Sequence, residues 1–299
     1  MNKYIVFIIG LFLFAFQSCR LASTDDEELA EAIRLNEKEI QAYISTNRLQ
    51  TQKTASGLYY AITATSNSSR TVSTGEQVTM KYTTKLLNGA LLDTFYRNTP
   101  RKYPHNAGTF VPGLEEGVSL LKVGEKAIFL IPSNLAFGNN LIESNTGINI
   151  PPNSVLIYEV EIIAFKSEDE QIQEYIAANN ISGAKKQNSG LYYVETLTGT
   201  GQAATKDSTM VVYYTGKTLD GKIFDRNITS PGFSFRLGLE SGQGSVIKGW
   251  NEGFLLMKEK GKAILLIPSS LAYGSSGTGN LIPPYTPLLF EVELLEIKQ

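Results

Sequence analysis

Apolar residues follow two different periods along this chain, and each change of period marks an element. Leu29, Ile33, Ile40 and Ile44 recur at helical spacing and predict a helix near the start. Ile172 and Ile176 predict a second, shorter helix, opened by the capping box Ser167-x-x-Glu170. After each helix the pattern turns extended. Residues 209–219 are rich in β-branched and aromatic side chains, Asp220-Gly221 is a hairpin-type turn, and Ile223-Phe224 resumes the extended pattern. Residues 249–257 read as one short helix and 262–267 and 288–297 as strands, with 273–287 a loop rich in glycine and proline. Strands outnumber helices, and the central helix is too short for a series of parallel crossovers. The pattern therefore predicts an α+β fold in which an antiparallel sheet packs on one helix.

The same unit is written twice at a period of roughly 132 residues, too long for a solenoid repeat of about 20–50. Ser56-Gly57-Leu58-Tyr59-Tyr60 returns as Ser189-Gly190-Leu191-Tyr192-Tyr193, Ile131-Pro132-Ser133 as Ile267-Pro268-Ser269, and Ile150-Pro151-Pro152 as Ile282-Pro283-Pro284. This is domain duplication. It divides the chain into an N-terminal helix and linker over 25–56, a first domain over 57–166, a linker helix over 167–189 and a second domain over 190–299.

The first residues have a different character. Lys3 precedes an apolar run over 4–16, short of the roughly 20 residues that cross a bilayer, and the pattern over 1–18 is that of a secretory signal peptide. Phe16-Gln17-Ser18-Cys19 resembles a bacterial lipobox, with Phe16 where leucine is usual. That resemblance implies lipidation of Cys19, a tether over 19–24, and anchorage in the cell envelope, with the outer membrane facing periplasm or cell surface as the expected place. The other reading is a plain signal peptide followed by a free thiol. Asp25-Asp26-Glu27-Glu28 reads as a helix start with Thr24 as its N-cap, because early acidic residues complement the helix dipole; a sorting signal is the alternative.

Composition narrows the chemistry. At 299 residues the chain is long enough for two domains, and 42% apolar with 19% charged residues is ordinary for a globular protein. A formal charge of −2 leaves no electrostatic footprint for nucleic acid, so the expected partner is peptide or protein. There is one histidine, His105, and one cysteine, Cys19. Residues 167–299 contain neither, which excludes from that half a His–Cys zinc site, a Cys–His nucleophile and a Ser–His triad. No cofactor or metal is implied. Acid–base work by carboxylates stays open.

Within the second unit, Val212-Tyr213-Tyr214-Thr215-Gly216, Asp220-Gly221-Lys222-Ile223-Phe224-Asp225, Val246-Ile247-Lys248-Gly249-Trp250, Ala272-Tyr273-Gly274 and Ile282-Pro283-Pro284 follow one another over about 75 residues. In order and spacing they resemble the FKBP family of peptidyl-prolyl cis-trans isomerases, over about 207–299, with a weaker match over about 74–166. The resemblance implies a sheet curled around a short helix, with an aromatic-lined pocket open at one side. Trp250 would be its floor, with walls from Tyr214, Phe224, Phe233, Val246, Ile247, Tyr273, Ile282 and Phe290. Phe235 would accompany Phe233, and Asp225 would be a buried polar member held by the Tyr214 hydroxyl. Taken singly, each of these reads equally as an ordinary core or loop residue. The implied activity is isomerisation of X–Pro bonds in proline-containing unfolded or nascent exported proteins.

The first unit departs from that pattern. Tyr82 and Asp93 keep their places, but Leu92 stands for Phe224, Leu114 for the tryptophan, Phe137 for Tyr273 and Tyr158 for Phe290. Phe110 and Val111 match the Val-Ile pair only in being apolar, and Tyr103 and His105 fall roughly opposite Phe233 and Phe235. Weak or no turnover is expected there, with His105 a strand residue at the pocket rim rather than a metal ligand. The alternatives to an enzyme are a non-catalytic peptide-binding module or holdase chaperone, and a subunit of an envelope or motility complex.

Overall fold

The computed structural model describes residues 24–93, 98–143, 147–239, 245–279 and 281–298. Residues 1–18, read above as a signal peptide, and Cys19 lie outside the described residues. The first unit comprises α1 (Thr24–Asn47), β1 (Gln52–Lys53), β2 (Tyr59–Ala64), β3 (Gln77–Leu86), β4 (Leu91–Asp93), β5 (Arg101–Pro104), α2 (Pro112–Ser119), β6 (Lys126–Ile131) and β7 (Leu156–Lys166). The second repeats the order with α3 (Glu168–Ala178), β8 (Lys185–Lys186), β9 (Tyr192–Leu197), β10 (Thr209–Thr218), β11 (Ile223–Asn227), β12 (Phe233–Arg236), α4 (Lys248–Leu255), β13 (Lys262–Ile267) and β14 (Leu288–Lys298). The predicted α+β class and the duplication are both present. α1 is described from Thr24 onward.

Each unit is one antiparallel sheet, in the order β1-β2-β6-β7-β3-β4 and, read from the corresponding edge, β8-β9-β13-β14-β10-β11. The last strand of each unit lies in the middle of the sheet. β7 pairs along β3 from Leu86–Leu156 to Gln77–Lys166, and β14 pairs along β10 in the corresponding register. At its other edge β3 is shared by β4 and β5, and β10 by β11 and β12. These short strands carry the side chains of the candidate site.

Helices cover both faces of each sheet. α4 sits on the inner face through Trp250 and Phe254, one turn apart, and reaches it closely because the missing side chains of Gly249 and Gly253 leave room for Ile267 and Leu265. α2 uses Leu114 and Val118 in the same way. On the outer faces, Ile40 of α1 packs on Tyr59, Leu130 and Ile157, and Ile172 of α3 packs on Tyr192, Leu266 and Leu289. Fully burying one such side chain contributes about 1.5–3 kcal/mol.

Polar contacts place the outer helices. The Ser133 amide donates to Asn36 Oδ1 at 2.8 Å in the first unit, whereas the Ser269 amide and hydroxyl donate to the Glu168 carboxylate at 2.5 and 2.6 Å in the second. The predicted capping box of α3 is formed, and Arg70 of the first unit grips its Glu170 with two hydrogen bonds of 2.7 Å. Arg70 and then the Ser167 amide hold the Glu170 carboxyl down at about 2. Gln77 meets Gln171 at 3.2 Å beside it. The linker helix thus belongs to the second unit by packing and is tied to the first by charge.

Burial pushes the Glu168 carboxyl above its ordinary range, against the opposing pull of the Ser269 donors. A folded-state pKa above the unfolded one means that the group favours folding at low pH, and that this contribution is lost as pH rises through the raised value. Glu168→Gln is expected to remove that dependence, so its melting temperature relative to wild type should climb on going from acid to neutral pH. Glu168→Ala should cost about 1–3 kcal/mol by leaving the buried Ser269 amide without an acceptor. Denaturation scans across pH 4–8 would check both, the range spanning the ordinary carboxylate value upward.

Candidate active site

In the second unit, β10, β11, β12, the start of α4 and the loop after β13 surround a cleft of about 390 Å³. It is lined by Tyr214, Phe224, Asp225, Phe233, Ser245, Val246, Ile247, Trp250, Tyr273 and Phe290. Trp250 is buried at its base, and ring edges meet it from several sides: Tyr214 at 4.9 Å, Phe290 at 5.2 Å and Phe233 at 6.1 Å between centroids. Behind it stand Phe235 at 5.4 Å and Phe254 at 5.3 Å. Phe224 closes one wall by meeting Phe290 edge-on at 5.5 Å.

Polar groups are few. Tyr214 donates its hydroxyl to Asp225 Oδ2 at 2.7 Å. Burial, then this bond to Asp225, pushes the Tyr214 hydroxyl far above the ordinary tyrosine range, so it remains a donor at neutral pH. Burial and the Asp225 charge also raise Tyr273, whose side chain reaches the mouth of the cleft. The indole nitrogen of Trp250 is buried with no hydrogen-bond partner among the described residues.

Three placements differ from the sequence reading. Asp225 is exposed and stands at the mouth, because β11 is an edge strand, so it is not a buried member. Phe235 and Ile282 lie in the core behind the cleft lining. The sequence reading placed Gly216 in a motif but gave it no role in the site. A Cβ there would come within 2.8 Å of both the Phe224 and Phe290 rings, so only glycine lets these rings meet across β10. Its signal is the paired difference from the first unit, where Thr84 and Leu92 occupy the two matching positions.

In the first unit the corresponding residues pack differently. Tyr82 donates to Asp93 Oδ2 at 3.0 Å, as Tyr214 does to Asp225, but Phe110 meets Tyr103 and Tyr82 in T-shaped contacts, with centroids 4.7 and 5.6 Å apart. These tyrosines are the register counterparts of Phe235 and Tyr214, two of the five rings that pack on Trp250. Leu114 is smaller than the tryptophan it matches, and the half-buried Phe110 packs against counterparts of that tryptophan's neighbours. Tyr158 packs on Tyr82 at 5.8 Å, while Leu92 and Phe137 pack into the same core. The guanidinium of Arg101, which pairs with Met80 as Phe233 pairs with Val212, lies 5.0 Å from the Phe110 ring centre.

That register also moves His105. Tyr103 is opposite Val78, so His105 falls two residues further along, at the core position of Leu237, and is buried instead of standing at a rim. Its Nε2 is 2.9 Å from Ser119 Oγ and its Nδ1 3.0 Å from Glu115 Oε2. Although the three residues are ordered like a triad, Ser119 is the last residue of α2 and its hydroxyl donates back to the Glu115 carbonyl. The carboxyl end of a helix repels an oxyanion, and the cluster serves as a buried polar tie between β5 and α2.

A curved antiparallel sheet closed by one short helix, with a recess lined mainly by aromatic rings, defines a half-barrel protein suited to enclosing an apolar ring. A family model described as FKBP-type peptidyl-prolyl cis-trans isomerase matches residues 68–163 and again 200–295. The FK506-binding protein of Neisseria meningitidis serogroup B is 44% identical over 108 residues, covering 36% of this chain and 96% of that protein. The FKBP-type peptidyl-prolyl cis-trans isomerase FkpA of Escherichia coli is 43% identical over 117 residues, covering 39% of this chain and 41% of that protein. The crystal structure of FkpA from Escherichia coli aligns with 44% of this chain and 59% of its own at 38% identity and a TM-score of 0.38. The chain belongs to the family of FKBP-type peptidyl-prolyl cis-trans isomerases, with the family domain present twice.

Gly216→Thr, which places in the second unit the residue found at the same position in the first, is expected to force the Phe224 and Phe290 rings apart at a cost of about 1–3 kcal/mol. Because Trp250 is the only tryptophan in the chain, its emission reports this cleft alone. A shifted emission and a lower denaturation midpoint are the expected readings.

Proposed function

We propose that catalysis resides in the second domain and that its aromatic cleft isomerises X–Pro bonds without covalent chemistry. The observation that carries this reading is that an aromatic cleft stands over Trp250 there, whereas in the first domain Leu114 replaces the indole and Phe110 packs across Tyr82 and Tyr103. Amide resonance sets a barrier of about 18–20 kcal/mol to rotation about the peptide bond. In the planar amide the nitrogen lone pair is delocalised and the carbonyl is strongly dipolar; in the twisted transition state both properties weaken. A recess of ring edges that takes the proline ring and strips water from the preceding carbonyl disfavours the planar state relative to the twisted one.

The named residues divide this work. Trp250, Phe233 and Phe290 form the apolar seat for the proline ring. Phe224 and the Tyr214–Asp225 pair hold the side where the preceding carbonyl enters. The Tyr273 hydroxyl and the Ile247 amide serve as donors to substrate carbonyls, and Val246 covers the ring from the loop before α4. Phe235 and Ile282 act from behind by holding the floor and the loop.

The clients this fits are proline-containing unfolded or nascent exported proteins. The secretory pattern over 1–18 and the lipobox-like residues before Cys19 support a chain tethered by lipid in the cell envelope. Cys19→Ala is expected to move the protein from the membrane to the soluble fraction, as read by fractionation of expressing cells.

Phe224→Ala and Asp225→Ala in the full chain are expected to lower kcat/KM about tenfold or more, corresponding to a loss of roughly 1.4 kcal/mol of transition-state stabilisation. Leu92→Ala should leave it unchanged. The check is a proline-isomerisation assay with an apolar residue before proline; equal losses from the two domains would sink the assignment.

A further inference from the structure

The loop between β13 and β14 of the second domain carries Tyr273 at the cleft, and two anchors hold it. Its beginning is a 3-10 turn, Ser269–Leu271, whose first residue is gripped by Glu168 of α3; the Ser269 carbonyl then accepts from the amides of Ala272 and Gly274. Its end is Tyr285, whose amide donates to the Gly274 carbonyl at 2.9 Å, immediately after Tyr273. Between them Gly277 donates to the Tyr273 carbonyl, and Thr278 bridges to Ile282. The position of Tyr273 is therefore set by what fixes these two ends.

Both ends lead to the first domain. Arg70 clamps Glu170, two residues along α3 from Glu168. Tyr285 makes the second link directly. Its ring lies against Gly75, where an added Cβ would come within 2.6 Å of the ring carbon Cδ1, and Gly75 itself is held in the left-handed region at φ +83°. Loop residues Leu281, Pro283 and Pro284 line the same interdomain groove, of about 340 Å³, together with Gln77 and Lys102 of the first domain. The loop is sandwiched: Tyr273 and Ile282 face the second domain's cleft and core, and Tyr285 faces the first domain.

Tyr285 also carries backbone strain. Its φ is +53°, a region that bulky side chains rarely adopt. The matching residue of the first domain is Asn153, with φ +58° and the same amide bond, to the Gly138 carbonyl. Asparagine suits that conformation, whereas tyrosine gains nothing from it locally. What a large flat ring does provide at this position is the contact with Gly75.

We propose that Tyr285 is a positioning residue through which the first domain sets the loop that presents Tyr273 to substrate. The first domain thereby acts on the neighbouring site in the same chain. This inference rests on the reading that the second domain is the catalytic one.

The test uses the full chain with Tyr285→Asn, Tyr285→Phe and Gly75→Ala. Asparagine relieves the left-handed strain and removes the ring; phenylalanine keeps the ring. Turnover is followed by proline isomerisation, and binding separately by Trp250 fluorescence on titration with a proline peptide. Tyr285→Asn is expected to raise KM and the peptide Kd about threefold or more without lowering the melting temperature, because a small displacement of a substrate-contacting group is enough to weaken binding. Tyr285→Phe should match wild type. Gly75→Ala should reproduce the loss, and the double variant should be no worse than either single one, since the two residues share one contact. Wild-type binding and turnover in Tyr285→Asn would overturn the proposal, as would equal impairment in Tyr285→Phe. Peptide binding that weakens in Tyr285→Asn, in a wild-type chain that does not isomerise, would uphold the positioning role and reject the catalytic reading. A wild-type chain that neither binds nor turns over would reject both.

Discussion

Edge-to-face packing around a single indole organises the second domain. Trp250 is carried by the short helix α4 and touched by Tyr214, Phe233, Phe235, Phe254 and Phe290, which come from β10, β12, α4 itself and β14. Aromatic pairs of this kind contribute about 0.5–1.5 kcal/mol each beyond their buried area. Their geometry matters more than their sum here. Rings meeting Trp250 by their edges leave its remaining surface free to line a cleft, and an apolar cleft is what a prolyl ring requires.

The first domain shows what happens when that indole is absent. Interiors are close-packed, so a leucine in place of tryptophan obliges its neighbours to pack differently. Phe110, from the loop before α2, packs on Tyr82 and Tyr103, with Arg101 lying over it where the other domain has Phe233. A second exchange is coupled in the same way: glycine with phenylalanine at 216 and 224, threonine with leucine at 84 and 92. The polar pair of tyrosine and aspartate survives in both domains, so a shared hydrogen bond by itself does not distinguish the two sites.

The two domains share more than ancestry. Arg70 on the capping box of α3 and Tyr285 on Gly75 place the first domain against the same elements that frame the second domain's cleft. The repeated contact of each outer helix with the 3-10 turn differs in kind, neutral through Asn36 and charged through Glu168. Only the second lies within reach of the interdomain clamp, because Glu170, which Arg70 holds, follows Glu168 on the same helix.

Much of this was legible in the residues themselves. Local periodicity and turn chemistry depend on neighbours a few positions apart, so the strands at 209–219 and 262–267, the capping box at Ser167 and the duplication could be read directly. The motif order likewise placed Tyr214, Phe224 and Trp250 together, because the spacing of a hairpin and a helix start is itself a local property. Register and burial were not legible. The two-residue offset that buries His105, the exposure of Asp225 on an edge strand and the withdrawal of Phe235 and Ile282 behind the cleft lining all depend on which strands pair and where helices press. The packing of Phe110 on Tyr82 and Tyr103 and the seating of Tyr285 on Gly75 depend on contacts between residues far apart in the chain. The sequence by itself determined which elements form and which residue types gather at each site. Only the tertiary structure decided how each recess is packed and what holds the loop of the second, because volume and strain are properties of the packed whole.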